Sequence, residues 1–443
     1  MLTLLTKGFV VEEIEFDVIV VGGGFAGVTT ARDCERNGHK TLLLEARDRL
    51  GGRTWTSEFE GETIELGGTW IYNSQPFVWS EVIRYGLKVE ETPGAVPDEM
   101  ILILNGERIV LDETKLEEVV LGWMLFTESV RSVVPRPYEL LHNREEALVA
   151  DRISALAHLD SLPLSPLARA FTRGVVELVA SGPADSVSYL DILRFYMLGG
   201  SEFSNFMDSA SRFKLKEGTA RLLNHIAEER NFDVQLNAHV TAIEEQGDHV
   251  VVSLRDGSKR KARAVVSTLP MNVIADVDFR PALPPAVISA AQQRHPGQGA
   301  KFFLKVEGQI GNLATIAPGQ PIDYLMTFSE SENHTTLVAF TSDMGLVDEY
   351  NHETLQRELS VHVPGAQLLA TKTHDWNSDE YSKGTWATYR PGWAHTLLPE
   401  LRKSIGRIHF ASGDHGEGWR GTIDGAIGAG VQAAQAIQIQ LGE

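Results

Sequence analysis

Three glycines and one acid near the start of the chain have the types and spacing needed to hold a dinucleotide. Gly22, Gly24 and Gly27 occupy the spacing G-x-G-x-x-G, and Glu45 follows further along. In this spacing the first glycine allows a tight turn, the second lets backbone approach a pyrophosphate, and the third lets a helix pack on a sheet. A carboxylate at the later position accepts hydrogen bonds from ribose hydroxyls and would repel a 2′-phosphate, so NADP is disfavoured.

A strand, a helix and a second strand must position these residues, and the sequence predicts all three. Residues 18–21 are a short apolar run that leads into the first glycine, and residues 26–36 are expected to be helical. Residues 42–44 form the next strand, which ends at the acid. The helix N-terminus then faces the phosphates, where its free N–H groups and its dipole favour negative charge. The motif therefore predicts an α/β dinucleotide-binding unit.

The continuation of this motif separates two classes of cofactor. Residues 46–53 read ARDRLGGR, and residues 65–70 read ELGGTW. A nicotinamide-binding domain does not need a second glycine pair with basic residues just past the ribose acid, whereas a longer diphosphate cofactor does. At this point the chain resembles the flavin-dependent amine oxidase family, which includes monoamine, polyamine and L-amino-acid oxidases. The resemblance spans nearly the whole chain.

The resemblance implies an α/β fold with two domains. A Rossmann-like FAD-binding domain would be assembled from discontinuous segments, and an α+β substrate domain would place helices around a mixed sheet. The expected FAD-binding segments are 1–75, 213–277 and 381–443, and the expected substrate-binding segments are 76–212 and 278–380.

Local sequence patterns support several elements of this arrangement. Residues 250–254 alternate as in a strand and precede Asp256-Gly257, a hairpin turn signal. Residues 302–306 and 336–340 also read as strands, and residues 353–362 read as a helix. The stretch 76–210 is expected to be largely helical, with breaks at prolines 135, 137, 163 and 166.

The resemblance also implies which residues surround the FAD. The backbone of Val240 would meet the adenine, and the backbone of Ile423 would donate to the flavin ring from the start of the last helix. Asp414 stands where the family usually has glutamate, near the ribityl chain and phosphates. Thr385 replaces the cysteine that binds flavin covalently in mammalian monoamine oxidases, so the FAD is expected to be non-covalent. The full expected set is Gly22, Gly24, Phe25, Ala26, Gly27, Glu45, Ala46, Arg47, Gly52, Arg53, Gly67, Gly68, Thr69, Trp70, Val240, Trp376, Gly413, Asp414, Thr422 and Ile423.

Two residues match family positions that carry chemistry. Lys301 matches a lysine near the flavin N5 that is thought to assist the reaction of O2 with reduced flavin, since a cation in a dry site stabilises developing negative charge. Trp386 matches the first wall of an aromatic cage, but the second wall falls on Thr422, which is not aromatic. Tyr324 aligns with a pocket aromatic near the substrate ring.

The sequence outside the cofactor motifs most resembles that of bacterial nicotine and 6-hydroxynicotine oxidases. Matching segments include residues 65–71, 84–87 and 135–137. This resemblance implies hydride removal from the carbon next to an amine nitrogen, giving an iminium that hydrolyses, with O2 or a carrier protein as the acceptor. Such chemistry needs a neutral amine in a dry pocket, so we assign no catalytic role to His295, Asp323 or His415.

Three alternatives to this interpretation remain open at this point. The chain could oxidise another amine, such as a polyamine or a cyclic alkylamine. It could bind flavin without turnover, although Lys301 and Trp386 speak against that. A nicotinamide dehydrogenase is the third, and it predicts a colourless preparation, whereas a flavoprotein is yellow.

The amino-acid composition limits which partners and which cell compartment are expected. The 443 residues include 40 basic and 60 acidic side chains, a net charge of −20 that argues against nucleic acid or anionic membrane as a partner. The one cysteine, Cys34, lies in the first predicted helix and is expected to be a buried thiol. Residues 1–16 lack the basic start and apolar core of a signal peptide, so we expect a cytoplasmic protein. We expect no metal site, and a homodimer stays open.

Overall fold

Parallel strands with buried side chains form the centre of one of the two large sheets. The computed structural model describes residues 14–229, 231–345 and 351–442, so the prediction made for residues 1–16 falls almost wholly outside the described residues. The strands are β1 Phe16–Val21, β2 Thr41–Leu44, β3 Thr56–Phe59, β4 Glu62–Glu65, β5 Trp70–Ile71, β6 Val89–Glu91, β7 Glu99–Leu104, β8 Glu107–Val110, β9 Phe213–Leu215, β10 Asp233–Gln235, β11 Val240–Gln246, β12 His249–Leu254, β13 Lys259–Ser267, β14 Asp278–Arg280, β15 Ala300–Glu307, β16 Leu313–Ile316, β17 Tyr324–Glu330, β18 His334–Thr341, β19 Leu368–Thr373 and β20 Ile408–Phe410.

The helices cluster between the strands and at the end of the chain. They are α1 Phe25–Arg36, α2 Pro76–Arg84, α3 Glu113–Phe126, α4 Val130–Val133, α5 Arg144–Asp151, α6 Ala155–Asp160, α7 Pro166–Ala180, α8 Tyr189–Leu198, α9 Phe203–Ser211, α10 Thr219–Glu228, α11 Pro285–Gln293, α12 His352–His362, α13 Trp393–Thr396, α14 Leu398–Leu401 and α15 Ile423–Leu441. Each predicted helix and strand named above is confirmed, with ends that differ by a few residues. The long stretch between residues 76 and 210 also contains strands β6 to β8, which the helical prediction missed.

The first sheet has the strand order β10-β2-β1-β13-β12-β11-β14, and β20 pairs with β13. Strand β1 pairs in parallel with β2 and with β13, and Val21 lies opposite both Leu44 and Ser267. The carboxyl ends of these three strands therefore meet at one edge, where an open α/β sheet binds its ligand. The hairpin predicted at Asp256-Gly257 joins the antiparallel strands β12 and β13.

The second sheet has the order β19-β15-β18-β17-β16-β7-β8. Its neighbours are antiparallel except for β16 and β7, so the sheet is mixed, as expected. The strands come from residues 99–110 and 300–373, both inside the predicted substrate-binding segments. Strand β14, however, pairs with β11 in the first sheet, so residues 278–280 extend that sheet rather than the second one.

Three further features concern the cysteine, the helices and the side chains able to bind metal. Cys34 is fully buried in α1, and burial raises the pKa of its thiol to about 12, so the expected buried thiol is confirmed. Among the described residues, no helix is long and apolar enough to cross a membrane. That same part of the chain contains no group of three or more side chains able to hold a metal ion.

Candidate active site

The turn after β1 is built from glycines because side chains would not fit there. Gly22 has a φ of +107°, a conformation that disfavours other residues. A Cβ on Gly27 would lie 1.9 Å from the carbonyl oxygen of Gly22, so α1 can approach the turn only with glycine at this position. A Cβ on Gly52 would lie 3.3 Å from the Cα of Gly24, so the two glycine segments face each other across a narrow gap.

Glu45 stands at the end of β2 and closes this turn. Its Oε2 accepts a hydrogen bond of 2.6 Å from the backbone N–H of Gly23, and its Oε1 accepts one of 2.8 Å from the N–H of Arg47. Each carboxylate oxygen has a second lone pair, so these bonds leave acceptor capacity for ribose hydroxyls. The side chain is held in place before any ligand arrives.

A single continuous cavity of about 570 Å³ begins at this turn and extends to the second sheet. This volume lies within the range of about 300–1,000 Å³ that is usual for small-molecule sites. The cavity brings together most of the residues predicted from the sequence: Gly22, Gly24, Phe25, Ala26, Glu45, Ala46, Arg47, Gly52, Arg53, Gly67, Gly68, Thr69, Trp70, Val240, Lys301, Tyr324, Trp376, Trp386, Gly413, Thr422 and Ile423. Gly27 and Asp414 do not line it.

Asp414 acts behind the cavity wall. Its carboxylate accepts a 2.6 Å hydrogen bond from Arg53 and a 2.8 Å bond from the N–H of Met271, and it is fully buried. Burial alone would raise the pKa of Asp414, but Arg53 and His295 outweigh it and hold that pKa below its ordinary value. Asp414 therefore holds Arg53 in the cavity lining, and its expected place near the ribityl chain and phosphates stays a prediction.

The second sheet places three site residues in one row. Lys301 on β15 pairs with Phe340 on β18, and Phe340 pairs with Tyr324 on β17. Directly opposed residues on neighbouring strands share a face of the sheet. The ring of Phe340 lies 6.0 Å from that of Tyr324 and 5.9 Å from that of Trp70. The sheet thus forms an aromatic wall with one lysine in it.

The ammonium group of Lys301 is buried and has two short hydrogen bonds. Its Nζ donates to the carbonyl oxygen of Gly67 at 2.5 Å and to Oγ1 of Thr69 at 2.6 Å. Burial lowers the pKa of Lys301 to about 7, against an opposing effect of Glu65. Burial in turn raises the pKa of Glu65, although hydrogen bonds from Thr56 and Thr219 partly offset this. Burial thus makes Lys301 a cation that gives up its proton more readily than an exposed lysine does.

The other walls near Lys301 are fixed by backbone contacts. The indole N–H of Trp386 donates to the carbonyl oxygen of Val179 at 2.8 Å, which orients the ring. The hydroxyl of Thr422 donates to the carbonyl oxygen of Trp419 at 2.7 Å and accepts from the N–H of Gly425 at 3.2 Å. Thr422 is therefore the N-cap of α15, and its hydroxyl is engaged there. Thr385 lines the same cavity, and its side chain has no thiol that could bond covalently to a flavin.

The structure adds residues that the sequence did not single out. Helices α7 to α9 supply one group of cavity residues, and strands and loops supply the others: Gln75, Leu178, Val179, Phe195, Ser209, Ala210, Ser211, Thr268, Met326 and Phe340. Strand alternation from Tyr324 would have found Met326, because residues two apart share a face. The contacts of α7 and α9 depend on tertiary packing, so no local signal could have found them.

The histidines and the acid set aside in the sequence do not reach this cavity. His295 and His415 are buried, and burial lowers the pKa of each to about 4. Burial raises the pKa of Asp323 to about 7, while its carboxylate accepts a 2.5 Å bond from the N–H of Ser342.

The donor set fits FAD on chemical grounds. One end of the cavity has a glycine turn at a helix N-terminus and an acid at the end of β2, which suits a diphosphate and a ribose. The other end has aromatic and aliphatic walls with a buried lysine, which suits a flat, redox-active ring. The first residue of α15, Ile423, lines this end, so the helix N-terminus faces it.

The chain is similar in sequence to a known protein family and to several known proteins. Residues 25–438 match the family model of flavin-containing amine oxidoreductases. The chain is 35% identical over 430 residues to a pseudooxynicotine dehydrogenase of Pseudomonas sp, covering 96% of this chain and 86% of the relative. It is 33% identical to a nicotine dehydrogenase of Pseudomonas putida, covering 96% and 88%. It is 30% identical to the (S)-6-hydroxynicotine oxidase of Paenarthrobacter nicotinovorans, covering 95% and 99%.

Solved structures share the fold. Putrescine oxidase bound to putrescine aligns with a TM-score of 0.82 at 23% identity, covering 96% of this chain and 99% of that one. Cyclohexylamine oxidase from Brevibacterium oxydans aligns with a TM-score of 0.81 at 21% identity, covering 97% and 100%. At these identities the likeness is one of fold.

Proposed function

Because this chain belongs to the flavin-containing amine oxidoreductase family, we propose that it oxidises a heteroaromatic secondary or tertiary amine of the nicotine or 6-hydroxynicotine type. Hydride leaves the carbon next to the amine nitrogen, and water hydrolyses the resulting iminium. FAD is the cofactor, and when bound it accepts the two electrons of the C–H bond and passes them to O2, which becomes H2O2.

The position of the acidic side chains in the cavity supports the choice of substrate class. The acids that line the cavity are Glu45, Asp276 and Glu380, and they belong to the dinucleotide end, where they contact Gly23, Lys383 and Arg255. Around Lys301 the described lining is aromatic, aliphatic or neutral polar. A second ammonium would have no partner there and would lose its hydration, which is costly. This supports an amine with an uncharged aromatic remainder over a polyamine.

The side chains near Lys301 would exclude water from around the amine and would orient the amine. The buried aromatic wall keeps bulk water away and favours the neutral amine, whose lone pair assists loss of hydride. The fixed ring of Trp386 limits the positions that the substrate can take. Lys301 holds a proton at Nζ and supplies positive charge where negative charge develops during reaction with O2.

We propose that the expected cofactor and substrate residues bind FAD and the amine, and that the chain is divided into two domains. We propose that the first sheet and α15 carry the FAD, and that the second sheet with helices α3 to α9 forms the substrate domain. We also propose a cytoplasmic location, supported by the single, buried cysteine.

Anaerobic mixing tests the substrate class directly. The yellow holoenzyme is mixed with nicotine, 6-hydroxynicotine or pseudooxynicotine, and flavin absorbance is followed. We expect bleaching by at least one of them and none by putrescine. Unchanged absorbance with all three heteroaromatic amines would reject the proposal, and bleaching by putrescine alone would favour a polyamine oxidase. Absence of bleaching with any amine would favour a flavin-binding protein without turnover.

The electron acceptor needs a separate measurement. Two of the relatives are named dehydrogenases and one an oxidase. We propose O2, because Lys301 is buried at the aromatic end of the cavity. Oxygen consumption with equimolar H2O2 is the expected result. Rapid reduction by substrate combined with slow reoxidation in air would instead indicate a carrier protein.

A further inference from the structure

An irregular segment, residues 374–385, forms the outer wall of the dinucleotide end of the cavity. No helix or strand is present between the end of β19 and the start of α13. Six residues of this segment line the cavity: Trp376, Glu380, Tyr381, Ser382, Lys383 and Thr385. Loops of this length without regular structure are uncommon in compact proteins and usually have a function.

The two ends of this segment are anchored by neutral hydrogen bonds. The indole N–H of Trp376 donates to the carbonyl oxygen of Leu66 at 2.9 Å. Near the other end, the N–H of Thr385 donates to the carbonyl oxygen of Gly297 at 2.9 Å. These bonds involve buried residues and do not depend on charge, so they hold the base of the segment in place.

The tip of the segment, residues 379–383, is held mainly by ion pairs, and only at its last residue does a carbonyl oxygen, that of Lys383, also accept from the amides of Asn272 at 2.8 Å and Gln298 at 3.1 Å. Three ion pairs join it to three other parts of the chain: Asp379 to Arg47 at 2.5 Å, Glu380 to Arg255, and Lys383 to Asp276 at 2.6 Å. All of these residues except Asp379 line the cavity. The tip therefore spans the cavity lining from Arg47, after β2, to Arg255, after β12, and Asp276, before β14.

An aromatic contact lies between the first two ion pairs. The guanidinium of Arg47 lies 5.1 Å from the centre of the Tyr381 ring, and the Tyr381 hydroxyl lies 3.2 Å from Nδ1 of His239. A guanidinium at this distance is attracted to the face of the ring. Tyr381 thus fills the gap between Arg47 and His239.

The three ion pairs differ in exposure, and so in strength. The side chains of Arg47 and Asp379 are 13% and 12% exposed, whereas those of Arg255 and Glu380 are 56% and 54% exposed. A partly buried, charge-assisted pair is much stronger than an exposed one, which salt screens. The Arg47–Asp379 pair should therefore dominate, with the outer pairs adding a salt-dependent part.

We propose that residues 379–383 form a latch that retains FAD: the latch closes over the adenosine half and must open for the cofactor to leave. The anchored base stays in place while the ion pairs at the tip break. This inference concerns retention of the cofactor and is independent of which amine is oxidised.

The rate of FAD release tests the latch. Holoenzyme is diluted, and the flavin that passes a size-selective membrane is measured over time. We expect Asp379→Asn to release FAD at least tenfold faster and Glu380→Gln two- to threefold faster. Asp160→Asn, which removes an ion pair with Arg169 outside the cavity, is the matched control and should leave the rate unchanged. Wild-type release should accelerate with salt, and less so in Glu380→Gln.

Two results would overturn the proposal. One is an unchanged release rate in both latch variants. The other is a loss of melting temperature in Asp379→Asn that is equal in the flavin-free and flavin-bound forms, since a latch acts only when FAD is present. Bleaching of the flavin by the amine is measured separately, on freshly loaded protein. A negative result in that experiment therefore does not affect the measurement of FAD release.

Discussion

Nζ of Lys301 donates to Oγ1 of Thr69 across 2.6 Å, although the two residues lie 232 positions apart. Thr69 belongs to the ELGGTW segment, and Lys301 belongs to the second sheet. The hydrogen bond therefore joins the two halves of the molecule at the place where the cavity passes from one to the other. A lysine buried in this way keeps a defined position, which a surface lysine does not.

Replacement of Lys301 by methionine should slow reoxidation of the reduced flavin by O2 by about tenfold or more, since removing a fixed charge from a dry site costs a few kcal/mol. The cofactor should stay bound, because methionine fills a similar volume. Stopped-flow mixing of reduced enzyme with O2 measures the rate. Lys305→Met, further along the same strand but outside the cavity, is the control. A Lys301→Met rate equal to that of wild type would remove the role assigned to Lys301.

The same reoxidation step should depend on pH. Burial lowers the pKa of Lys301 to about 7, so Nζ is charged below that pH and neutral above it. The assistance given by the charge is therefore present at low pH and lost as pH rises through about 7. The wild-type rate should fall across this range, whereas the rate of Lys301→Met should not change there. A wild-type rate that rises with pH would contradict the assignment.

The sequence predicted the dinucleotide end of the cavity more completely than the aromatic end. The glycines and Glu45 lie on one short stretch of chain, so local rules of turn and helix geometry position them. Phe340 and Met326 reach the site only through the pairing of β15, β18 and β17. Asp414 has its own contact of this kind, an ion pair of its carboxylate with Arg53, a residue 361 positions away that lines the cavity.

The ion pairs of the latch could not have been predicted from the sequence. Asp379 and Arg47 lie 332 positions apart, and neither belongs to a pattern that predicts the other. Ion pairs between loops have no periodicity, so only the folded chain reveals them. Trp376 was predicted from a family match and lines the cavity, but its hydrogen bond to Leu66 had no signal in the sequence.

The cap at Thr422 should be measurable as stability. Thr422→Val keeps the shape of the side chain but removes the acceptor for the N–H of Gly425 and the donor to Trp419. Loss of an N-cap costs about 1 kcal/mol. We expect a lower free energy of unfolding for Thr422→Val and a near-normal value for Thr422→Ser, as measured by denaturant unfolding. A near-normal value for Thr422→Val together with a loss in Thr422→Ser would show that the methyl group, not the hydroxyl, is what matters.

Asp424 should make the stability of the protein depend on pH. Its Oδ1 accepts hydrogen bonds of 2.7 and 2.9 Å from the N–H groups of Phe77 and Val78 at the start of α2, while its Oδ2 has no partner. Burial raises the pKa of this carboxyl from 3.8 to about 6, although the two hydrogen bonds oppose the shift. The folded protein therefore holds the proton more tightly than the unfolded chain does.

The stability that Asp424 contributes should therefore fall as pH rises. Between about pH 4 and pH 6 the unfolded chain releases the proton and the folded protein keeps it, so stability falls as pH rises through 6. A shift of this size corresponds to about 2 to 3 kcal/mol. Asp424→Asn keeps an acceptor for Phe77 and Val78 but cannot titrate. The stability of wild type relative to Asp424→Asn should therefore fall by that amount between pH 4 and pH 8, as measured by urea unfolding. A difference that stays constant with pH, or that grows, would show that the carboxylate is well solvated or paired in the folded protein.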